Sequence, residues 1–204
     1  MRKPYTEQQI AKTKEGIVSA ARELYDQIGY EAINLLRLSK KTSLSRPSIY
    51  NYYHSKEDIF LDILLDEYAS FGSDLHDKLT KEKYDSVALG DTIAAVCLSH
   101  ENLLKMVACY ENSICDCASA QFLSNYKKNW QRCFYNPLLE SLRFQFPKEG
   151  DGKLTEFIYV FLSLMHSFYP ALTVKPGLRE DGEKFIRRTI RLAVKDIDAS
   201  EVEA

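Results

Sequence analysis

Apolar positions recur at helical spacing along most of the chain. Ile17, Val18, Ala21, Leu24, Tyr25 and Ile28 share one helix face, and Gly29 stands where a helix would stop. Thr6 with Gln9 three residues on fits a capping box, so this helix is predicted to begin near Glu7. Asn34 suits the cap of a second helix with Leu35 and Leu38 inward. Thr42, Ser43 and Leu44 read as a turn, and Ser45 as the cap of a third helix with Pro47 in its first turn and Tyr50 to Tyr53 at its end. Ser55 with Asp58 opens a long apolar helix through Ile59, Phe60, Ile63, Leu64 and Phe71. Two short helices around a tight turn, behind an amphipathic helix, have the layout of a helix-turn-helix that reads DNA.

Further helices are predicted over about 86–99, 101–114, 119–145, 154–169 and 180–198, and no strand pattern appears. Breaks are expected at Gly72-Ser73, Pro147 to Gly152 and Pro170 to Gly177. Pro137 should kink the 119–145 helix, because it removes a backbone donor. Residues 154–169 are apolar on most sides, which predicts burial on most sides. Phe185, Ile186, Thr189, Ile190, Ala193, Val194 and Ile197 form a wide stripe opposite Arg187, Arg188, Arg191 and Lys195. This C-terminal pair suits either a four-helix seam between two copies or the completion of a monomer core. The expectation is a homodimer through residues 154–198, since paired DNA half-sites call for twofold symmetry.

Charge changes the picture modestly. Residues 1–60 hold 10 Lys/Arg against 7 Asp/Glu, and residues 61–204 hold 17 against 22. A mildly basic head on an acidic body suits phosphate contacts at one end. The polar start MRKPYTEQQ lacks the apolar core of an export signal, and the longest apolar run, Phe157–Met165, is far short of the ~20 residues that span a bilayer. A soluble cytoplasmic protein with no membrane role is the expectation. The five cysteines, Cys97, Cys109, Cys115, Cys117 and Cys133, do not suggest disulfides in a reducing compartment. Cys115-Asp116-Cys117 has the thiol density of a soft-metal or oxidant sensor but not the C-x2-C spacing of zinc sites, and cysteines at helix ends are also common without any role. Catalytic motifs are absent: no G-x-S-x-G, no Gly-rich phosphate loop, no H-E-x-x-H, and none of the four His is paired at metal spacing. Neither catalytic residues nor a cofactor nor a metal is expected.

Over residues 12–60 the chain resembles the tetracycline-repressor (TetR) family of bacterial regulators. The helix ending in Gly29-Tyr30, the cap Asn34, the core Leu38, the turn before Ser45, and Tyr50-Asn51-Tyr52-Tyr53 followed by Lys56 carry the resemblance. It implies an all-α protein of about nine helices. Residues 1–56 would be a three-helix helix-turn-helix DNA-binding domain, and residues 57–204 a helical domain for ligand binding and dimerisation. It also implies a homodimer released from a near-palindromic double-stranded operator by a small-molecule effector. The chain departs from the family at Thr42-Ser43, where a small Ala-Gly pair is common, so Ser43 must take the turn conformation without glycine's freedom. Ile33 and Ser39 stand where Thr and Ala are common.

The residue chemistry agrees with the resemblance. Arg37, Lys56, Tyr50 and Tyr52 can meet phosphates, which set register without reading sequence. Ser45, Arg46, Pro47, Ser48 and Asn51 lie on or near the leading face of the third helix. Arg46 can bond a guanine edge or a phosphate, Asn51 can pair with adenine or cap a solvated helix end, and Pro47 can touch a thymine methyl. Tyr53 reads as core, and Lys40 and Lys41 as solvated. The family's architecture places a ligand cavity in the body. Met106, Cys109, Tyr110, Tyr126, Trp130, Phe134, His166 and Tyr169 are its candidate lining, for a lipophilic or aromatic molecule, or else plain core. Two other readings stay open: a coregulator of the same fold whose helix-turn-helix docks a protein, and a thiol-based metal or redox sensor.

Overall fold

The computed structural model describes residues 6–174 and 177–198. The ends of both expected domains, and Lys175 and Pro176 of the expected dimer segment, lie outside the described residues. Among those described, eleven α-helices and one π-helical turn make up the regular structure, and there is no strand. They are α1 (Glu7–Ile28), α2 (Leu35–Thr42), α3 (Arg46–Tyr50), α4 (Lys56–Leu79), α5 (Ser86–Ser99), α6 (Glu101–Cys109), α7 (Glu111–Cys117), α8 (Ala120–Trp130), the π turn (Gln131–Tyr135), α9 (Asn136–Gln145), α10 (Asp151–Thr173) and α11 (Arg179–Asp198).

The chain divides into two compact units. The first is the described part of Met1–Leu65 with Asn112–Lys127; the second is Asp66–Glu111 with the described part of Lys128–Ala204. In the first, α1 opens on the expected capping box, Thr6 Oγ1 accepting from Gln9 N while Gln9 Oε1 accepts from Thr6 N. Gly29 closes it with φ 73°, and its N–H bonds Tyr25 O. Ile17, Ala21, Leu24 and Tyr25 face the core, Val18 is half-buried, and Ile28, the last residue of the helix, is exposed. Phe60 at the start of α4 packs edge-on against Tyr25 and Tyr30, with centroids 5.8 and 4.9 Å away.

In the second unit an aromatic stack runs through the core. Phe71 lies nearly parallel to Phe134 and Phe161 at 5.7 and 6.3 Å, and Phe161 stacks on Phe157 at 6.0 Å. Helix α11 packs against α5 and α10, and α10 against α6 and α9. The buried Gln145 amide donates to Leu79 O and Glu82 O and accepts from Tyr84 N, which satisfies main-chain groups of the loop between α4 and α5.

Several expected boundaries move, each for a local reason. Gly72-Ser73 does not break α4. Its glycine is a point of close approach, where an added Cβ would stand 2.7 Å from Cys133 O. The expected 101–114 helix is two, because the chain turns at Tyr110. The 119–145 segment takes up Pro137 through the π turn just before it, which widens the helix where the proline supplies no N–H. Helix α10 runs through Pro170 to Thr173, with Phe168 and Leu172 buried on either side of the proline. It is not buried on most sides, since Tyr159 and Val160 are 63% and 45% exposed. On α11 Ile186, Ile190, Val194 and Ile197 are buried, whereas Phe185, expected in the stripe, is 46% exposed. Helix α3 ends at Tyr50, so Asn51 and Tyr52 occupy a turn.

Candidate nucleic-acid interface

The interface is built on two fully buried anchors, Leu38 of α2 and Ile49 of α3. Burying one such side chain contributes about 1.5–3 kcal/mol, enough to hold a helix as short as α3 in place. Local chemistry sets the turn between them. Asn34 Oδ1 accepts Arg37 N at 3.0 Å and caps α2. Thr42 Oγ1 donates to Leu38 O and accepts from Leu44 N. Ser43 then takes the left-handed conformation, φ 58°, and among the described residues no other non-glycine does so. The chain accepts here the strain that a glycine would avoid. Ser45 Oγ accepts Ser48 N at 3.2 Å and pairs with Ser48 Oγ at 2.7 Å, so α3 starts at Arg46 with Pro47 where no donor is needed.

With Ile49 turned inward, the opposite face of α3 goes to solvent. Arg37, Ser45, Arg46, Pro47, Tyr50 and Asn51 are exposed, and Ser48, Tyr52 and Lys56 are half-buried. Arg46 Nη2 lies 3.4 Å from Tyr50 Oη, with its guanidinium 5.9 Å from that ring, so the two side chains pre-order each other. A groove of about 460 Å3 is lined by Asn34, Leu36, Arg46, Tyr50, His54 and Lys56 among others. It holds the first residues of both α2 and α4, and the positive end of a helix dipole attracts anions.

Lys56 is already held at the edge of this groove. Its ammonium donates to Tyr30 O at 3.2 Å and sits 4.1 Å from the Tyr30 ring. Tyr30 Oη bonds Glu57 at 3.3 Å, and burial, then the Glu57 charge, push the Tyr30 hydroxyl well above its ordinary pKa, so it stays protonated. Lys56 keeps further N–H donors for a phosphate. Tyr53 is completely buried, bonding Asp62 at 2.7 Å and packing on Phe122 at 5.4 Å, with the Lys14 ammonium over both rings. Lys41 pairs with Glu23 at 2.7 Å. Sequence reasoning missed His54 and Leu36 as groove residues. Their signal is position alone, beside a capping serine and beside a capped leucine.

The candidate ligand residues are only partly brought together. Met106 and Phe134 are buried, Trp130, Tyr110 and Tyr169 half-buried, and Cys109 and His166 exposed, all in the second unit. Tyr126 is buried and belongs to the first. Trp130 and Phe134 touch at 5.4 Å, and both meet Tyr68, which the sequence reading left out. A separate groove of about 470 Å3 in the second unit is lined by Asp74, Lys78, Tyr84, Thr92, Val96 and Ser99. Burial pushes the Cys97 and Cys133 thiols up, away from the reactive thiolate. Among the described residues no group of three or more His, Cys, Asp or Glu is placed to hold a metal ion.

Comparison with known proteins bears on this geometry. Residues 17–63 match the sequence model of the bacterial regulatory proteins of the tetR family, a span that holds α2, α3 and the start of α4. Over 93 residues the chain is 32% identical to the uncharacterized HTH-type transcriptional regulator YobS of Bacillus subtilis (strain 168). That match takes in 46% of this chain and 49% of YobS, so the chain spans about half the length of the curated relative it matches. A TetR-family transcriptional regulator from Streptomyces coelicolor has a solved structure alike over 91% of this chain and 99% of that one, with TM-score 0.61 and 16% identity. The structure of RolR in complex with resorcinol is alike over 95% and 96%, with TM-score 0.59 and 14% identity. At such identities the solved structures speak for the fold alone. Residues 17–63 thus carry the sequence pattern of the bacterial regulatory proteins of the tetR family, and the all-helical fold is similar to that of solved TetR-family structures.

Proposed function

We propose that the protein is a cytoplasmic, homodimeric DNA-binding repressor that releases a palindromic operator when a small lipophilic or aromatic effector binds its body. One observation carries the DNA-binding part. A capped α3, anchored by Ile49, turns Arg46, Pro47 and Asn51 to solvent, beside a groove that gathers Arg46, Tyr50, Lys56 and two helix starts. Such a surface offers base-edge donors on a short helix and phosphate donors around it.

Exposed Tyr159 and Val160 on α10, and Phe185 and Leu192 on α11, support pairing of these helices with a second copy. The rings of Tyr68, Trp130, Phe134 and Phe71 support an aromatic effector. So does RolR, whose solved structure holds resorcinol as its ligand.

The test is selection of bound duplexes from a random pool by the purified protein. A palindromic motif with half-sites about one helical turn apart, losing affinity steeply with salt, is the expected result. Folded, dimeric protein that enriches no sequence would overturn the proposal.

A further inference from the structure

In the second unit the groove of about 470 Å3 runs along the outward side of α4 and α5, and its size is that of a small-molecule site. Phe71, Leu75 and Leu79 of α4 and Ile93 and Cys97 of α5 are buried on the inward side, so the groove is separate from the aromatic core. Asp74 and Lys78 line it from α4, Tyr84 from the loop, and Thr92 and Ser99 from α5. Ala95 and Val96 are its apolar part.

Two of these groups are fixed from behind. Asp74 Oδ2 lies 2.8 Å from His100 Nε2, on a side chain only 12% exposed whose ring meets Phe71 at 5.3 Å. Tyr84 N donates to the Gln145 amide oxygen at 3.1 Å, and Tyr84 Oη donates to Lys78 O at 3.4 Å. Asp74 and Lys78 stand four residues apart on one helix, a spacing at which opposite charges commonly close on each other. Here Asp74 is drawn to His100 and, among the described residues, the Lys78 ammonium has no partner. The groove therefore keeps a carboxylate and an ammonium about one helical turn apart and unjoined.

The hydroxyl protons are already committed. Thr92 Oγ1 donates to Ala88 O and Ser99 Oγ to Val96 O, each at 2.8 Å. These hydroxyls offer a ligand their oxygen lone pairs, and among the lining side chains Lys78 supplies the free donors. A matching molecule carries an anion for Lys78, N–H donors for Asp74 and the hydroxyl oxygens, and a short apolar part for Ala95 and Val96. A plain carboxylate would face Asp74 with like charge, and a plain amine would leave Lys78 unmet. We propose that this groove binds a zwitterionic α-amino acid with an apolar side chain, its carboxylate on Lys78 and its ammonium on Asp74.

The test is calorimetric titration of the full chain. The groove is open to solvent, so it constrains side-chain shape little, and L-leucine serves as the probe. Isocaproate is leucine without its ammonium, and isoamylamine is leucine without its carboxylate. Leucine should give saturable heat, and both analogues should bind about tenfold more weakly or worse. Lys78→Met and Asp74→Asn should each weaken leucine by about tenfold or more. Ala95→Trp should abolish binding by filling the groove. Lys128→Met removes an exposed charge outside the groove and should leave binding unchanged.

No saturable heat from leucine, equal binding of leucine and either analogue, or leucine binding retained in Lys78→Met and Ala95→Trp overturns the proposal. Asp74, Lys78 and Ala95 are all exposed, so these variants leave the core intact. Circular dichroism checks each fold, and if one variant is unfolded the other two decide.

Discussion

Asp58 Oδ1 accepts the main-chain N–H of Ser119 at 2.8 Å, and its Oδ2 accepts that of His54 at 3.0 Å. The side chain is completely buried, and Asp58 N is itself held by Ser55 Oγ at 3.1 Å. One carboxylate thus fixes the turn after α3 and ties the chain before α8 into the first unit, while Ser55 caps the start of α4. Asp58→Ala strands two buried donors and should cost about 2–4 kcal/mol, read as a lower urea midpoint with an unchanged slope. Ser119→Ala leaves the bond in place, because the donor is main chain, and should change stability by much less. Equal losses in the two variants would refute this account.

Phosphate and base contacts separate by their response to salt and sequence. Lys56→Met should weaken binding to all duplexes alike and lower the salt slope by about 0.9. It also removes the ammonium from the Tyr30 ring, so a stability loss of about 0.5–1 kcal/mol should accompany it. Tyr52→Phe should weaken all duplexes without changing the slope. Arg46→Ala should change which operator is preferred if the guanidinium reads a base. Repeating the selection with each variant distinguishes them, and an Arg46→Ala motif identical to the wild type's would reassign Arg46 to a phosphate.

The first sixty residues were readable because their signals are local. Thr6, Asn34, Ser45 and Ser55 each bond a backbone N–H within three residues, so a capping motif in the sequence already contains the geometry. Ser43 was readable for the same reason, since a turn of that length needs a left-handed residue whatever the side chain. The errors lie where a distant partner decides. Gly72 looks like a helix break until Cys133 arrives beside it. Phe185 has the spacing of a core residue, yet what covers it is not set by its own helix. Glu111 and Tyr68 lie 43 residues apart and meet only in the fold, so no local pattern could pair them.

Glycines in helices divide by what surrounds them. A Cβ on Gly72 would lie 2.7 Å from Cys133 O and 3.2 Å from Phe134 Cα, both main-chain atoms that cannot swing aside. Gly72→Ala should therefore destabilise by about 1–3 kcal/mol. Gly16, inside α1, has nothing within 4 Å of such a Cβ. Gly16→Ala should stabilise by about 0.5–1 kcal/mol through the helix preference of alanine. Thermal melts of the two variants should move in opposite directions, and a shared direction would contradict the packing described.

Acid should loosen one contact of the second unit. Arg179 forks onto Glu101 at 2.6 and 3.2 Å, and that hydrogen bond holds the Glu101 carboxyl below its ordinary pKa, partly opposed by burial. A lowered folded pKa means the contribution is present above the unfolded value, about 4.3, and is lost as pH falls through the folded one. The stability gap between wild type and Glu101→Gln should therefore close below about pH 4. A gap that widens with acid would reverse the assignment. Both side chains are more than a third exposed, so salt should shrink the gap at neutral pH as well.

The apolar residues left outward on the last two helices give a test of assembly that is independent of DNA. Val160 on α10 and Leu192 on α11 are 45% and 58% exposed, and neither belongs to the core of its own unit. If these faces pair two copies, Val160→Glu with Leu192→Glu places four carboxylates in an apolar seam, where desolvation and like charge both oppose association. Sedimentation should then show a species of half the wild-type mass. The monomer should melt with little change from its own packing, because buried Ile186, Ile190 and Val194 are untouched. Operator affinity should fall steeply, because one recognition helix then meets one half-site. A double variant that sediments as the wild type does would move the dimer seam off these helices.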